Sequence, residues 1–250
     1  MRREVEIIYL DNYLIVVNKP AGLVTQGARQ SKESLLELLK DYIKKRENKP
    51  GKVFLAVAHR LDKPVSGVCV LAKRSKCASK LFNLIREGKW RKLYLAKVEG
   101  LMEGPSYGLW EDYLKIDGSA KGVKILSQPS AEAKRAFTLY EILKREKEET
   151  LLLLSPLTGR KHQLRVALSS RGYPIVGDRL YGSKRSLLGG RAILLHALYL
   201  DFPHPYSQEL MELWAKVPPY YGVNTLDKGS ILEFLSKINT MKERIKDVPG

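Results

Sequence analysis

The sequence predicts an α+β protein, because strand-length apolar runs and amphipathic helical segments are interspersed along the chain. Its 250 residues are 44% hydrophobic, which suffices for one large or two small domains with a well-buried core. No apolar stretch approaches the ~20 residues that a membrane-spanning helix requires, and the first residues lack the apolar core of a signal peptide. We therefore expect a globular protein in the cytoplasm.

The strand predictions rest on β-branched or alternating apolar runs that end at turn residues. Asp11-Asn12 separates the first two runs, and the charged residues 144–149 separate two later ones. Residues 100–130 are rich in Gly, Lys and Ser, and indicate only short strands, a hairpin or loops. Strands are expected over residues 5–10, 14–17, 53–58, 68–72, 93–98, 138–143, 150–154 and 192–202.

Helices are predicted where apolar residues recur with a period near 3.6. Ser34 and Glu37 have the spacing of a capping box, and apolar residues follow at i, i+3, i+4 and i+7. A second helix over residues 78–85 ends at Gly88, and a turn within residues 155–165 opens a third. Residues 229–245 form the last amphipathic pattern.

The charge balance predicts an anionic partner. Lys and Arg total 44 against 27 Asp and Glu, which gives a formal net charge of +17 and a pI near 9.7. Such an excess favours a polyanion such as a nucleic acid. An anionic membrane surface is the alternative, but no basic amphipathic helix is evident. Cys69 and Cys77 are the only cysteines, so the sequence predicts packing roles for them, without a disulfide framework or zinc site.

The most informative stretch is His59-Arg60-Leu61-Asp62, between the apolar runs 53–58 and 68–72. Lys63-Pro64 and Gly67 mark a turn, which places Asp62 on the connection between two strands. Arg60 beside it should favour the charged form and lower the pKa of the carboxyl group. This pattern suits a nucleophile better than a general acid. The alternative is a structural Arg–Asp pair that holds the strand connection.

Three further segments contain candidate site residues. Lys19 lies in the turn Asn18-Lys-Pro-Ala-Gly22, where we expect an exposed side chain that is either solvated or in contact with phosphate. Tyr94 follows the basic cluster at 89–92 and is either a ring that stacks on a base or a half-buried strand residue.

The third segment is the start of the third helix. Arg160, His162, Gln163 and Arg165 crowd it, where an anion would be favoured, whereas Leu164 is expected to face the core. Four polar groups beside a buried helix start need hydrogen-bonding partners.

Several cofactor motifs are missing from the sequence. There is no Walker loop, GxGxxG, HExxH or paired-cysteine motif, and the four histidines have poor metal-ligand spacing. We therefore expect an enzyme that needs neither cofactor nor metal. A metal-dependent nuclease is disfavoured for the same reason.

Three motifs in order resemble the RluA-type pseudouridine synthases. They are His59-Arg60-Leu61-Asp62 with Ser66-Gly67, Lys92-Leu-Tyr94, and Thr158-Gly-Arg-Lys-His-Gln-Leu-Arg165. Shorter segments resemble the same family in the same order. They are Asn18-Lys-Pro-Ala-Gly22, Gly177-Asp178 with Tyr181-Gly182, and Leu195-His196-Ala197, so that the resemblance spans residues 5–221. Val65 and Ala167 depart from residues common in the family, Thr and His respectively.

The resemblance implies a mixed, mostly antiparallel sheet in two subdomains around an active-site cleft, and isomerisation of uridine in RNA to pseudouridine. It implies that Asp62 is the catalytic aspartate, that Tyr94 stacks on the target base, and that Arg165 pairs with Asp62. The aspartate either attacks the sugar or assists formation of a glycal. A non-catalytic RNA-binding protein of the same fold is the alternative function. The substrate-binding residues would be Lys19, His59, Arg60, Arg160, His162, Gln163 and Leu164.

We expect a catalytic domain over residues 1–222, followed by a helical extension over 223–250, without the S4 domain that many relatives have at the amino terminus. The expected substrate is ribosomal or transfer RNA. The expected protein is a monomer that needs no cofactor or metal and binds neither DNA nor membrane.

Overall fold

Strands and helices are interspersed along the structure, a computed structural model. This arrangement confirms the predicted α+β class with a mostly antiparallel sheet. Within the described part of the chain, no helix is both long and apolar enough to cross a membrane. The described residues are 5–27, 34–48, 50–116, 122–223 and 226–246.

The elements follow one another in an order close to the predicted one. The strands are β1 (Glu6–Leu10), β2 (Leu14–Lys19), β3 (Ala56–Val57), β4 (Ser66–Ala72), β5 (Arg91–Glu99), β6 (Tyr107–Ile116), β7 (Val123–Leu126), β8 (Lys134–Glu146), β9 (Glu149–Pro156), β10 (Leu195–Pro203) and β11 (Leu210–Trp214). The α-helices are α1 (Leu35–Arg46), α2 (Ser75–Arg86), α3 (Gln163–Ser169) and α4 (Lys228–Lys246).

The chain divides into two compact units, and the first comprises residues 1–90 and 197–216. Its strands follow the order β1-β2-β4-β10, with β3 paired to β4 and β11 paired to β10. Helix α2 packs on one face of these strands, where Leu81 and Leu84 join Val68 and Val70 in a buried cluster. Side chains alternate along a strand, so neighbours such as Cys69 lie on the opposite face.

The second unit comprises residues 91–196 and 217–250. Its strands follow the order β5-β9-β8-β6-β7, and every pair in this series is antiparallel. Val166 of α3 packs in a small apolar cluster with Leu114, Val123 and Ala136. Helix α4 belongs to this unit and buries apolar side chains such as Phe234. The proposed boundary between residues 222 and 223 stays a prediction.

Local signals explain the start of α1 and the end of α2. Ser34 caps α1 because its hydroxyl oxygen accepts a hydrogen bond from the Glu37 amide at 3.3 Å, as the capping-box spacing predicted. Gly88, at a φ of 69°, follows the end of α2 in the left-handed conformation that glycine tolerates. The hairpin of β6 and β7 agrees with the expectation for residues 100–130, of which residues 117–121 lie outside the described part.

Two strand predictions need correction. The apolar run 53–58 was expected to be a full strand, but only Ala56 and Val57 pair with β4, and Phe54 is 50% exposed. Strand β11 was not predicted, because Leu210–Trp214 is short and contains a single buried residue, Leu213. Apolar composition alone therefore overstated one strand and missed another.

Candidate active site

Asp62 lies where the sequence predicted, on the connection between β3 and β4. Residues 58–65, which we call the Asp62 loop, join the two strands, and Asp62 is half-buried while Arg60 is exposed. Two backbone hydrogen bonds shape the loop. The Ala58 amide donates to the Val70 carbonyl at 3.1 Å, and the Val65 amide donates to the Asp62 carbonyl at 3.0 Å. The loop is therefore a defined turn immediately before β4.

The turn that follows β2 holds the Asp62 loop on both sides of the aspartate. The Gly22 amide donates to the Lys63 carbonyl at 2.8 Å. The Thr25 hydroxyl donates to the Leu61 carbonyl at 2.7 Å, and its oxygen lies 3.2 Å from the Leu61 amide that donates to it. Leu61 and Lys63 are thus fixed through their backbones.

Thr25 is a positioning residue that the sequence reasoning missed. It is 3% exposed and lies 36 residues from its partner Leu61. No local pattern in the sequence connects a threonine to a backbone so far along the chain. The contact between Thr25 and Leu61 forms only because β2 and β4 pair and bring the two segments together.

The expectation of an exposed Lys19 is wrong, because the side chain is completely buried. Its ammonium donates to the carbonyl oxygens of Leu23 at 2.7 Å, Pro20 at 3.0 Å and Lys63 at 3.4 Å. Carbonyl oxygens from the turn after β2 and from the Asp62 loop converge on the ammonium, and they offset the cost of burying its charge. Lys19 therefore fastens the turn and the Asp62 loop together, rather than standing on the surface.

His59 begins the motif and is oriented by its surroundings in the first unit. Its Nε2 accepts a hydrogen bond from the Val70 amide at 3.3 Å. The imidazole also meets the Trp90 ring edge-on at 5.3 Å, and Trp90 in turn stacks on Phe202 at 4.6 Å. Because Nε2 is an acceptor, this hydrogen bond favours the neutral imidazole with its proton on Nδ1.

Gly67 allows two backbone segments of the first unit to approach closely. It has a φ of 116°, and a Cβ at this position would lie 2.2 Å from the carbonyl oxygen of Ala197. That contact places β4 directly beside β10. It gives a physical reason for two of the matched segments, Ser66-Gly67 and Leu195-His196-Ala197, to occur in one protein.

In the second unit, Arg165 forms a buried ion pair with Asp178. Its Nε and a terminal nitrogen lie 2.7 and 2.8 Å from the two carboxylate oxygens, which is the bidentate geometry. The two side chains are 6% and 2% exposed. The ion pair therefore fastens α3 to the loop of residues 177–182, which contains Asp178. The predicted pairing of Arg165 with Asp62 stays a prediction.

Gln163 uses both ends of its amide inside the second unit. Its oxygen accepts from the Thr158 hydroxyl at 2.8 Å and from the Arg160 amide at 3.1 Å. Its nitrogen donates to the Phe137 carbonyl at 2.8 Å and to the Thr138 hydroxyl at 3.0 Å. This network favours a structural role for Gln163, in which the turn before α3 is fastened to β8.

His162 precedes α3 in a left-handed backbone conformation, with a φ of 53°. Its Nδ1 lies 2.7 Å from the Tyr181 hydroxyl, which accepts a hydrogen bond from the Val123 amide at 2.9 Å. The Tyr181 hydroxyl therefore links His162 to the Val123 backbone. A non-glycine residue in this conformation costs of order 1–3 kcal/mol, and such strain is retained where surrounding contacts impose it.

The remaining residues at the start of α3 differ in exposure. Arg160 is exposed and donates to the Arg135 carbonyl at 3.0 Å, whereas Leu164 is 6% exposed, as expected of a core residue. The helix has only seven residues. Arg160, Gln163 and Arg165 have hydrogen-bonding partners within the protein, as predicted. The anion expected at this helix start stays a prediction.

Tyr94 and Lys92 share one face of β5, because side chains two apart in a strand point the same way. Tyr94 is half-buried and lies opposite Leu154 of β9. Burial lowers the pKa of the Lys92 ammonium from its ordinary value. The matched segment Lys92-Leu-Tyr94 therefore places a ring beside a lysine whose charge is costly to bury.

The structure thus brings the predicted residues together in two groups. His59, Lys19 and the Asp62 loop form one group in the first unit, and Arg165, Gln163 and His162 form the other in the second. Among the described residues, no group of three or more His, Cys, Asp or Glu side chains could hold a metal ion.

Comparisons with known proteins agree with these motifs. The profile of RNA pseudouridylate synthases matches residues 13–170, which is more than half of the chain. The chain therefore belongs to the RNA pseudouridylate synthase family, whose reaction is the isomerisation of uridine in RNA to pseudouridine.

Individual relatives cover most of the chain. It is 34% identical over 228 residues to a ribosomal large subunit pseudouridine synthase C of Buchnera aphidicola, covering 88% of this chain and 70% of that protein. It is 33% identical over 234 residues to tRNA pseudouridine synthase C of Vibrio parahaemolyticus, covering 86% of this chain and 91% of that protein.

A solved structure has the same fold. Human RNA pseudouridylate synthase domain containing 4 superposes with a TM-score of 0.72 at 28% identity, covering 87% of this chain and 90% of that one.

Proposed function

We propose that Asp62 is the catalytic carboxylate of this pseudouridine synthase, and that the substrate is ribosomal or transfer RNA. The observation that supports the proposal most is the double hold on the Asp62 loop. The Thr25 hydroxyl holds the backbone of Leu61, and the Gly22 amide holds the carbonyl of Lys63. Because the backbone on both sides of Asp62 is held in place, the carboxylate extends from a defined position. Catalysis requires reacting groups at defined positions.

The reaction needs few groups. The bond between uracil N1 and ribose C1′ breaks, the base turns, and C5 forms the new bond to C1′. C5 loses its proton and N1 ends with one, so the product is an isomer of the substrate. An ionised carboxylate serves this chemistry either by attacking the sugar or by assisting formation of a glycal. The target nucleotide must first leave its stack to reach such a group.

Tyr94 and Arg165 complete the proposed catalytic set. Tyr94 stacks on the extruded uracil, and its hydroxyl takes part in proton transfer, as the family resemblance implies. Arg165 orients Asp62, and its bidentate pair with Asp178 supports this role because it fixes the guanidinium plane. Exposed Arg60 and Arg160 are proposed to contact RNA phosphate.

Names of relatives support the proposed substrates. Ribosomal and transfer RNA synthases are both about one third identical to this chain over most of its length. The formal charge of +17 suits either RNA. We further propose that the protein acts as a monomer in the cytoplasm, where both RNAs are available.

The test compares Asp62→Asn with wild type in single-turnover assays, on unmodified large-subunit ribosomal RNA and unmodified transfer RNA. Product is measured by pseudouridine-specific primer extension, with a chelator present. Asp62→Asn keeps the size of the side chain and removes its charge, so the melting temperature and RNA affinity should persist while product formation falls to background. Asp41→Asn, at an exposed position of α1 in the same unit, is the matched control.

The outcomes separate the possible functions. Wild type that binds RNA but forms no pseudouridine would indicate a non-catalytic RNA-binding protein. A folded Asp62→Asn protein that converts uridine at more than about a tenth of the wild-type rate would contradict the role of Asp62, because a tenfold loss is only ~1.4 kcal/mol of barrier. Product on one RNA and not the other would identify the substrate.

A further inference from the structure

The outer face of α2 is a cationic stripe without an acidic residue. Lys76, Lys80, Asn83 and Arg86 are exposed and follow one another at i, i+4, i+7 and i+10, so they line one side of the helix. We call these four residues the α2 stripe. At ~1.5 Å per residue it is about 15 Å long. Helix α1, in contrast, mixes Glu37 and Asp41 with its lysines.

Contacts in the first unit hold part of the stripe in place. Lys80 donates to the Pro205 carbonyl at 3.0 Å, and its ammonium lies 4.0 Å from the centre of the Tyr206 ring. Tyr206 stacks on Tyr13 at 3.9 Å. Arg86 donates to the Asn83 side chain at 2.6 Å. Side chains that are ordered before binding lose less conformational entropy when they bind.

The carboxyl end of α2 is linked to the Asp62 loop within the same unit. Arg86 is the last residue of α2, and Trp90 follows four residues later. Trp90 contacts His59 at 5.3 Å, and His59 lies three residues before Asp62. The carboxyl end of α2 is therefore joined to the candidate catalytic loop by a short chain segment and a ring contact within one unit.

We propose that the α2 stripe binds the phosphate backbone of the substrate RNA. The inference rests on the proposed function, because it assumes that RNA is the substrate. Three cations along one helix face match the regular negative charge of a nucleic-acid strand. Phe82, which is 50% exposed on the flank of the stripe, offers a ring on which a base can stack.

The experiment compares two triple variants with the same change of charge. Lys76→Gln, Lys80→Gln and Arg86→Gln neutralise the stripe, and Lys44→Gln, Lys45→Gln and Arg46→Gln neutralise an exposed part of α1. Glutamine retains helix propensity. Affinity for a labelled single-stranded loop, presented in a hairpin RNA of about thirty nucleotides, is measured across a salt series. Each phosphate contact contributes about 0.7 in a single strand, and about 0.9 in a duplex, to the slope of log affinity against log salt.

The stripe variant should lose about 2 from this slope and bind the hairpin roughly tenfold more weakly at low salt, whereas the α1 variant should match wild type. An unchanged slope and affinity of the stripe variant, or an equal loss in both variants, would overturn the proposal. Loss of binding to phosphatidylserine-rich vesicles with unchanged RNA affinity would instead identify a membrane surface as the partner.

Two further measurements keep the result interpretable. Lys76→Gln alone removes a side chain that forms no ion pair with any described residue, so it should fold normally and lose about 0.7 of the slope; no change in slope would count against the stripe. Pseudouridine formation by wild type is assayed separately. Absence of product with a lowered slope would reject the proposed activity and keep the RNA-binding stripe.

Discussion

The two regions that contain the predicted site residues are stabilised in different ways. In the first unit, the Asp62 loop is held through its backbone groups. The hydroxyl of Thr25 and the ammonium of Lys19 donate hydrogen bonds to carbonyl oxygens of the loop. In the second unit, the start of α3 is held by the motif side chains themselves, as in the pair of Arg165 with Asp178.

This difference separates two kinds of motif residue. In the Asp62 loop, the hydrogen bonds to Thr25 and Gly22 use the backbone, so they do not depend on the Asp62 side chain. Where the motif side chain is the support, its loss costs stability first. The same pattern of polar residues in a sequence can therefore have opposite consequences for folding.

The largest effect on stability is expected for Arg165→Ala. It leaves the carboxylate of Asp178 buried without its bidentate partner, which typically costs about 3–5 kcal/mol in the free energy of unfolding. Denaturant titration measures this loss. Arg179→Ala removes an exposed arginine of the same loop and should change stability by less than about 0.5 kcal/mol.

A double variant tests the origin of that loss. Arg165→Met combined with Asp178→Asn removes both charges, and it should recover much of the stability lost in Arg165→Ala. A cost below about 1 kcal/mol for Arg165→Ala would mean that the ion pair does not support α3 and that the contrast between the two regions fails.

A smaller effect, of a different kind, is expected for Thr25→Val. The substitution keeps the shape of the side chain and leaves the Leu61 amide and carbonyl without their partner, at about 1–3 kcal/mol. Because the loop would shift, kcat should fall by roughly ten- to a hundredfold with little change in KM. Thr25→Ser restores the hydroxyl and should restore most of kcat. Equal kcat for the Val and Ser variants would disprove a positioning role for the hydroxyl.

The smallest effect concerns Lys92, and its sign depends on pH. Burial lowers the pKa of Lys92 in the folded protein, so the unfolded chain binds more protons between the folded and unfolded pKa values. The penalty is fully present below the folded pKa and disappears as the pH rises through the ordinary value near 10.5. Lys92→Met should therefore be more stable than wild type near neutral pH, and its advantage should shrink towards about pH 10. Melting temperatures measured across this range with a constant difference would contradict burial as the cause.

Much of the local structure followed from the sequence. The capping box of Ser34, the apolar period of α2 and the turn at Asp62 depend on neighbours a few residues apart, so a window of sequence contains the relevant forces. The run 53–58 misled the prediction because apolar residues there meet solvent, as Phe54 does, instead of a second strand.

The site was predictable in its residues and less so in their roles. Lys19 was expected to be exposed because a lysine in a turn usually is. Its ammonium instead donates to carbonyl oxygens near it in the chain and to that of Lys63, 44 residues away. Thr25 and the Arg165–Asp178 pair depend on distant partners that only the fold brings together. The sequence motifs identified the segments of the site, whereas the hydrogen-bonding partners of each residue were evident only from the structure.

The close approach at Gly67 determines which substitutions a selected library of variants would tolerate. Its positive φ disfavours any side chain, and the Ala197 carbonyl occupies the space that a Cβ would need. A library of variants selected only for solubility should therefore retain glycine at position 67 while it accepts several residues at position 62. The same library selected for RNA modification should retain the native residue at both positions. Comparing the two selections would separate, residue by residue, what the chain needs to fold from what it needs to act.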